Sequence, residues 1–177
     1  MNYEMSNNFN YEMNKLTIIT IVLIFLVVLC TFKSLIIPFI LVLLIQCAVY
    51  ILMGIINILD MKVYYLSLLI VQSILMGATI DYAILFTNYY RELRKENSIR
   101  ISLKETYNKS IHTILTSSLI MIIITGVLGF IFKDPATGEI CHIIAIGVTI
   151  AVLLILFVLP SIIVLFDKKI VNNKSKS

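Results

Sequence analysis

The stretch VYYLSLLIVQSILMGATIDYAILFTNYY, residues 63–90, contains one acidic residue, Asp81, in 28 positions that otherwise carry no charge. A continuous apolar run of about 18 or more residues is typical of a helix that crosses a membrane, since ~20 residues at about 1.5 Å each match the ~30 Å hydrocarbon core. This run is long enough to cross that core with some tilt. It therefore predicts a transmembrane helix with a carboxyl group near its middle.

Four more apolar runs lie on either side of this stretch. We expect transmembrane helices over residues 16–32, 34–59, 110–132 and 140–166 as well. The runs are far longer than the ~9–11 alternating residues of a membrane β-strand, so they predict helices rather than a barrel. Charged residues make up only 14% of the chain, against ~25% in soluble domains, which excludes a water-soluble globule. The sequence predicts an all-α membrane protein, a bundle of five transmembrane helices.

The segments outside these runs are polar. Residues 1–15 are rich in Asn and predict a disordered external tail. Residues 91–109 predict a basic cytoplasmic segment, and residues 167–177 predict a basic cytoplasmic tail. If five helices alternate across the membrane, eleven Lys and Arg residues fall on the side of the carboxyl terminus and three on the other. The positive-inside rule then predicts a cytoplasmic carboxyl terminus and an external amino terminus in the plasma membrane.

Asp81 is the residue in these helices that points most directly to chemistry. A carboxylate at the bilayer centre costs about 2.5–3.5 kcal/mol on insertion scales, and protonation lowers that cost, so such acids are candidates to load and release protons. Tyr82 adds a hydroxyl that can donate to a carboxylate, and Gly77 lets another helix approach closely. The other candidates, for a polar seam inside the bundle, are Ser73, Asn88, Thr116 and Ser117. The alternatives for Asp81 are a structural buried acid bonded to a hydroxyl, and a contact for a ligand or lipid headgroup.

Enzyme and metal motifs are missing from the sequence. It contains no phosphate-binding loop, no HExxH pair and no hydrolase nucleophile motif, so we expect no enzymatic activity. The three cysteines lack metal-ligand spacing, and His112 and His142 lie near helix ends without a partner pattern. We therefore expect no metal, no cofactor and no nucleic-acid partner.

Several motifs resemble those of MMPL proteins, in the resistance–nodulation–division superfamily. The stretch GATIDYAILFTNYYRELR, residues 77–94, resembles their fourth-helix signature, G-x-G-x-D-Y followed by R-Y-R-E. FKSLIIP at residues 32–38 resembles the turn between the second and third helices, and segments within 116–130 and 146–161 resemble the fifth and sixth. The sequence departs from the pattern where Tyr89-Tyr90-Arg91 replaces R-Y-R and where Ala78-Thr79 replaces a small or glycine position.

This resemblance covers residues 16–167 and is to helices two to six of one repeat. It implies the membrane half of a proton-motive-force-driven exporter of lipids or other hydrophobic molecules, with residues 16–166 as its membrane domain. Asp81 and Tyr82 would form the intramembrane proton relay. Family members usually have two repeats, and each acid faces the tyrosine of the opposite repeat. The implied partners are therefore membrane lipids, a hydrophobic substrate, and either a complementary transporter half or a second copy of the chain.

Two other interpretations stay open at this point. Five helices of this type also resemble sterol-sensing domains, which implies a lipid-binding membrane domain that regulates a partner without transport. The chain also lacks counterparts of the family's first helix, its external porter domains and its second repeat, which is compatible with an inactive truncated fragment. The sequence does not identify the substrate.

Overall fold

The computed structural model describes residues 2–32, 36–59, 63, 65–132 and 134–167. Within these residues the chain forms five α-helices and no strand. They are α1 (Asn2–Phe32), α2 (Ile36–Ile58), α3 (Tyr65–Leu93), α4 (Ile99–Ile131) and α5 (Pro135–Leu165). The all-α prediction is confirmed, and each of the five apolar runs overlaps one helix.

Four of the described helices are long and apolar enough to cross a membrane. These spans are Ile36–Ile58, Ser67–Leu93, Ile99–Ile131 and Thr137–Leu165. The apolar part of α1, Thr17–Phe32, is shorter than the ~20 residues that a perpendicular helix needs. The protein is therefore a multi-pass membrane protein. A fifth crossing by α1 and the direction of crossing stay predictions.

The structure differs from the predicted disordered tail at the amino terminus. Helix α1 begins at Asn2 and continues without interruption into the apolar run, so residues 2–15 are helical. The first 32 residues contain neither Gly nor Pro, and elongation of an existing helix is much easier than nucleation. In the structure the helix therefore extends through a segment whose polar composition predicted a disordered tail. At the other end, only Asp167 of the predicted basic tail 167–177 lies within the described residues.

The basic segment 91–109 is divided between two helices. Its first residues continue α3 to Leu93, and a short turn follows in which Asn97 N donates to the Leu93 carbonyl at 3.1 Å. Helix α4 then begins at Ile99 and runs unbroken to Ile131. The predicted fourth run, 110–132, is thus the second part of a longer helix. The reason is again local, because no Gly or Pro lies between residues 99 and 125.

Helix α5 contacts α2, α3 and α4, and α3 contacts all four other helices. Gly147 marks a close approach of α5 to its neighbours: a Cβ there would lie 2.9 Å from Leu75 Cδ1 and 3.0 Å from Leu52 Cδ2. Membrane helices use small residues in this way because lipid gives no hydrophobic drive for association, so close packing has to supply it. Leu75 and Leu52 are almost fully buried around it.

Helix α4 is buried along one narrow row, which faces its contacts with α3 and α5. The buried residues are spaced four apart: Ser102, Thr106, Ser110, Ile114 and Ser118. Thr106 Oγ1 donates to the Ser102 carbonyl and Ser110 Oγ to the Thr106 carbonyl, each at 2.7 Å. Hydroxyls bonded to their own helix leave a small and nearly apolar surface, so α4 can pack closely on its neighbours.

Pro160 lies inside α5 and removes one bond from its backbone ladder. A proline has no N–H, so the carbonyl four residues earlier, that of Leu156, has no donor from its own helix. The Tyr107 hydroxyl of α4 supplies the donor in a short hydrogen bond to that carbonyl. The Tyr107 ring also packs edge-to-face on Phe86 of α3, with centroids 5.3 Å apart. One side chain therefore connects three helices.

Candidate functional site

Asp81 lies near the middle of the α3 span. That span is Ser67–Leu93, so Asp81 is about 21 Å from one end and about 18 Å from the other at about 1.5 Å per residue. Its side chain is exposed on the surface of the described helices. It forms neither a hydrogen bond nor an ion pair with any residue that the structure describes. The result is an unpaired carboxyl group at mid-span, on the outer surface.

Tyr82 is turned away from Asp81, towards α4. Adjacent helical residues differ by about 100° around the axis, and Tyr82 is 9% exposed where Asp81 lies open. The Tyr82 hydroxyl lies 3.2 Å from Ser117 Oγ, and either oxygen can donate. Tyr82 and Ser117 are therefore the predicted site residues that the structure brings into direct contact. The tyrosine hydroxyl is therefore held by α4 and not by the neighbouring aspartate.

The other predicted site residues lie on the outer faces of α3 and α4. Ser73, Asn88 and Thr116 are exposed, and none of them has a hydrogen-bond partner in the described ranges. Apart from the nearby backbone of α3 itself, no atom lies within 4 Å of the point where a Cβ of Gly77 would be. The residues predicted for a polar seam therefore lie on outward faces of the described helices, and the seam itself stays a prediction. By contrast, two buried threonines of α3 bond within the helix: Thr79 Oγ1 donates to the Leu75 carbonyl and Thr87 Oγ1 to the Ala83 carbonyl, each at 2.7 Å.

A charged cluster joins the ends of α3 and α5. Asp167 has a side chain only 6% exposed, and it accepts from Tyr90 Oη at 2.7 Å and from Arg94 Nε and Nη2 at 3.1 and 3.0 Å. The hydrogen bond to Asp167 raises the pKa of the Arg94 guanidinium, so this cation keeps its charge. Sequence reasoning missed the cluster. The available signal was an acid directly after the fifth apolar run, on the same predicted side as the basic segment.

Arg91 lies one turn before Arg94 but has no carboxylate partner within the described part of the chain. Its Nη1 donates to the Phe32 carbonyl at 3.3 Å, and its guanidinium carbon lies 5.3 Å from the centre of the Phe32 ring. A guanidinium has five N–H donors, and only one of those of Arg91 is bonded to a residue that the structure describes. The end of α1 is held against α3 by this contact.

The two histidines and the cysteines do not assemble a metal centre. In the ranges the structure describes, no three side chains of His, Cys, Asp or Glu lie close enough together to hold a metal ion. His142 has a packing role: its Nδ1 donates to the Gly138 carbonyl at 2.9 Å, and its ring lies edge-to-face on Phe130. The same ring occupies the space that a Cβ of Gly129 would need.

Comparison with known proteins agrees with these helices. The family model described as the MMPL family matches residues 1–177, the whole of the chain. No curated protein and no solved structure gives a significant match. MMPL proteins are transporters rather than enzymes, and they handle hydrophobic substrates and lipids. The match extends over all four long apolar spans and the helix that carries Asp81, which supports a transporter-type membrane function. The chain therefore belongs to the MMPL family of membrane transporters.

Proposed function

We propose that this chain is the membrane half of an exporter of lipids or other hydrophobic molecules, driven by the proton-motive force across the plasma membrane. The observation that carries the proposal is the position of Asp81, an unpaired carboxyl group exposed at the middle of α3. A purely structural acid would be expected to have its oxygens satisfied inside the bundle. An acid left open at mid-span is better suited to exchange a proton.

The face around Asp81 supports the presence of a second set of helices. Acids in transmembrane segments almost always face a bundle interior or a water-filled cavity, since exposure of the ionised form to hydrocarbon costs about 2.5–3.5 kcal/mol or more. Gly77, one turn away, leaves open space above the backbone of α3, where another helix can approach closely. We infer that a complementary transporter half or a second copy of this chain covers this face.

In the proposed cycle, Asp81 takes up a proton from the external side and releases it to the cytoplasm as the helices alternate between two arrangements. A proton that crosses the full membrane potential supplies about 2.3 kcal/mol per 100 mV. The Tyr82 hydroxyl lies 3.2 Å from Ser117 Oγ, on the side of α3 that faces α4. To donate to a carboxylate of the covering helices, as the family resemblance implies, the tyrosine would have to leave this contact and turn towards the Asp81 face.

The relay is tested by Asp81→Asn, with Glu92→Gln as the matched control. Both changes replace a carboxylate of α3 by an amide, but Glu92 lies beyond Tyr90 at the end of the span. The full chain is reconstituted into vesicles, and proton entry under an imposed pH gradient is followed with an internal dye. We expect Asp81→Asn to abolish the protein-dependent flux and Glu92→Gln to retain it. Equal flux in the wild type and in Asp81→Asn would contradict the proposal.

A chemical probe tests the same residue without a partner chain. A hydrophobic carbodiimide reacts with protonated carboxyl groups, and mass spectrometry of the digested protein locates the adduct. We expect an adduct at Asp81, at the middle of the span, and no comparable adduct at Glu92, at its end. Absence of an adduct at Asp81 would contradict a proton-carrying carboxyl group at that position.

Self-association through this face is tested by disulfide cross-linking. In a background without the native cysteines, Gly77→Cys places a thiol on the open face of α3, and Phe157→Cys places one on the exposed surface of α5, where the native side chain is 71% exposed. A second copy on the Asp81 face predicts a cross-linked dimer for Gly77→Cys alone. A dimer for both variants, or for neither, would leave the complementary half as the covering chain.

A further inference from the structure

An apolar cavity of about 490 Å³ lies between the helices at the end of the bundle that contains Arg91 and Arg94. Its walls come from α1, the start of α2 and the end of α5, and every lining side chain is apolar: three phenylalanines, Phe25, Phe39 and Phe166, and four aliphatic residues. The volume is within the ~300–1,000 Å³ of ordinary ligand pockets. Phe39 is 64% exposed, so the cavity opens sideways, towards lipid.

The guanidinium of Arg91 lies at the same end of the bundle as this cavity. It donates to the carbonyl of Phe32, four residues before the lining residue Ile36. On the other side, Asp167 directly follows the lining residue Phe166. Asp167 is occupied by Tyr90 and Arg94, so among the described residues Arg91 has one long hydrogen bond, to a neutral carbonyl. A cation without a described carboxylate partner therefore lies at the same end of the bundle as the apolar cavity.

We propose that this cavity binds one acyl chain of an anionic phospholipid whose phosphate is held by Arg91. The apolar walls fit a hydrocarbon chain, whereas a peptide segment would leave its backbone N–H and C=O groups without partners. The guanidinium fits a phosphate, with which it can form two parallel charge-assisted hydrogen bonds. The basic residues place this end on the cytoplasmic side by prediction, where the leaflet is rich in anionic lipid and basic pockets between helices bind such headgroups. The site is separate from Asp81 and does not depend on proton coupling.

The sequence offers a direct way to test this, because the chain contains no tryptophan. Phe39→Trp then introduces a single fluorophore on the cavity wall. The control is Leu165→Trp, at the same end of the bundle, where the native side chain is 81% exposed and does not line the cavity. The full chain is reconstituted into phosphatidylcholine vesicles. Quenching is compared after addition of phosphatidylglycerol or phosphatidylcholine with brominated acyl chains.

At Trp in position 39, we expect the quenching to show an apparent affinity for brominated phosphatidylglycerol about fivefold higher than for phosphatidylcholine. This ratio corresponds to about 1 kcal/mol for one basic residue near the membrane surface. At position 165 we expect no preference beyond that of the bulk surface. In the Phe39→Trp background, Arg91→Gln should remove the difference, and Arg91→Lys, which keeps the charge but cannot form the two parallel hydrogen bonds, should retain only part of it. Equal quenching by both lipids at position 39, or a preference that survives Arg91→Gln, would overturn the proposal. Loss of the preference on addition of inorganic phosphate would assign the contact to free anions instead.

Discussion

Replacement of Tyr107 by Phe tests whether a side chain on α4 compensates for the proline in α5. The change removes only the hydroxyl that donates to the Leu156 carbonyl. The ring that packs on Phe86 is kept. Because Pro160 has no N–H, the Leu156 carbonyl would then have no donor from its own helix or from α4.

The expected cost follows from two limits. Side-chain hydrogen bonds inside membrane proteins contribute about 0.6 kcal/mol on average and up to about 1.7. A buried acceptor left without its partner costs about 1–3 kcal/mol, and Leu156 is only 8% exposed. We therefore expect Tyr107→Phe to lower the free energy of unfolding by about 1–2 kcal/mol.

A double-mutant cycle with Pro160→Ala isolates this effect. Alanine restores an N–H that can bond to the Leu156 carbonyl, so Tyr107→Phe should cost almost nothing in that background. The coupling energy should therefore be about 1–2 kcal/mol. Unfolding is followed by circular dichroism as a denaturing detergent is titrated into mixed micelles. If Tyr107→Phe costs the same with proline or alanine at position 160, the hydroxyl does not serve the proline-freed carbonyl.

Two further predictions concern packing and charge. Arg94→Gln should destabilise the protein by about 1–3 kcal/mol because it leaves the nearly buried Asp167 carboxylate with fewer donors. Adding Asp167→Asn should recover part of this loss of stability. If Asp167→Asn instead adds its own full cost, the two residues are not coupled. Gly129→Ala should cost about 1–3 kcal/mol because its Cβ would overlap the His142 ring. Gly126→Ala, with open space at its Cβ, should be neutral or stabilising by up to about 1 kcal/mol, and equal effects of the two alanines in the same unfolding assay would argue against the His142 contact.

The spans were predictable from the sequence because they depend on length and composition along a single segment. An unbroken apolar run of the right length has few alternatives in a membrane, and all four long spans overlap a predicted run. The ends of the helices were less predictable. Residues 2–15 and 99–109 are polar, yet they extend helices that the apolar runs nucleate, so polarity alone did not mark a boundary.

The candidate site was only half predictable. The charge pattern singles out Asp81, but α3 is apolar on several faces, so the sequence does not say which face meets α4. The structure turns Tyr82 towards Ser117 and leaves Asp81 open. Contacts between residues far apart in the sequence could not be predicted from local patterns either. Pro160 predicts that the Leu156 carbonyl lacks a donor in its own helix, but no nearby residue identifies Tyr107, 49 residues before Leu156, as the donor.

The buried row of α4 determines what a shift of that helix would disturb. None of the hydroxyls in the row donates to another helix, as those of Thr106, Ser110 and Ser118 bond to carbonyls of α4 and Ser102 Oγ has no partner in the structure. A displacement of α4 therefore breaks no hydrogen bond made by this row and changes only its van der Waals contacts. Within the described residues, side-chain hydrogen bonds join α4 to other helices at two tyrosines alone, Tyr82 and Tyr107. In this part of the chain, side-chain hydrogen bonds thus fix the register between α4 and its neighbours only at Tyr82 and Tyr107. Phenylalanine at both positions would leave the register determined by packing alone.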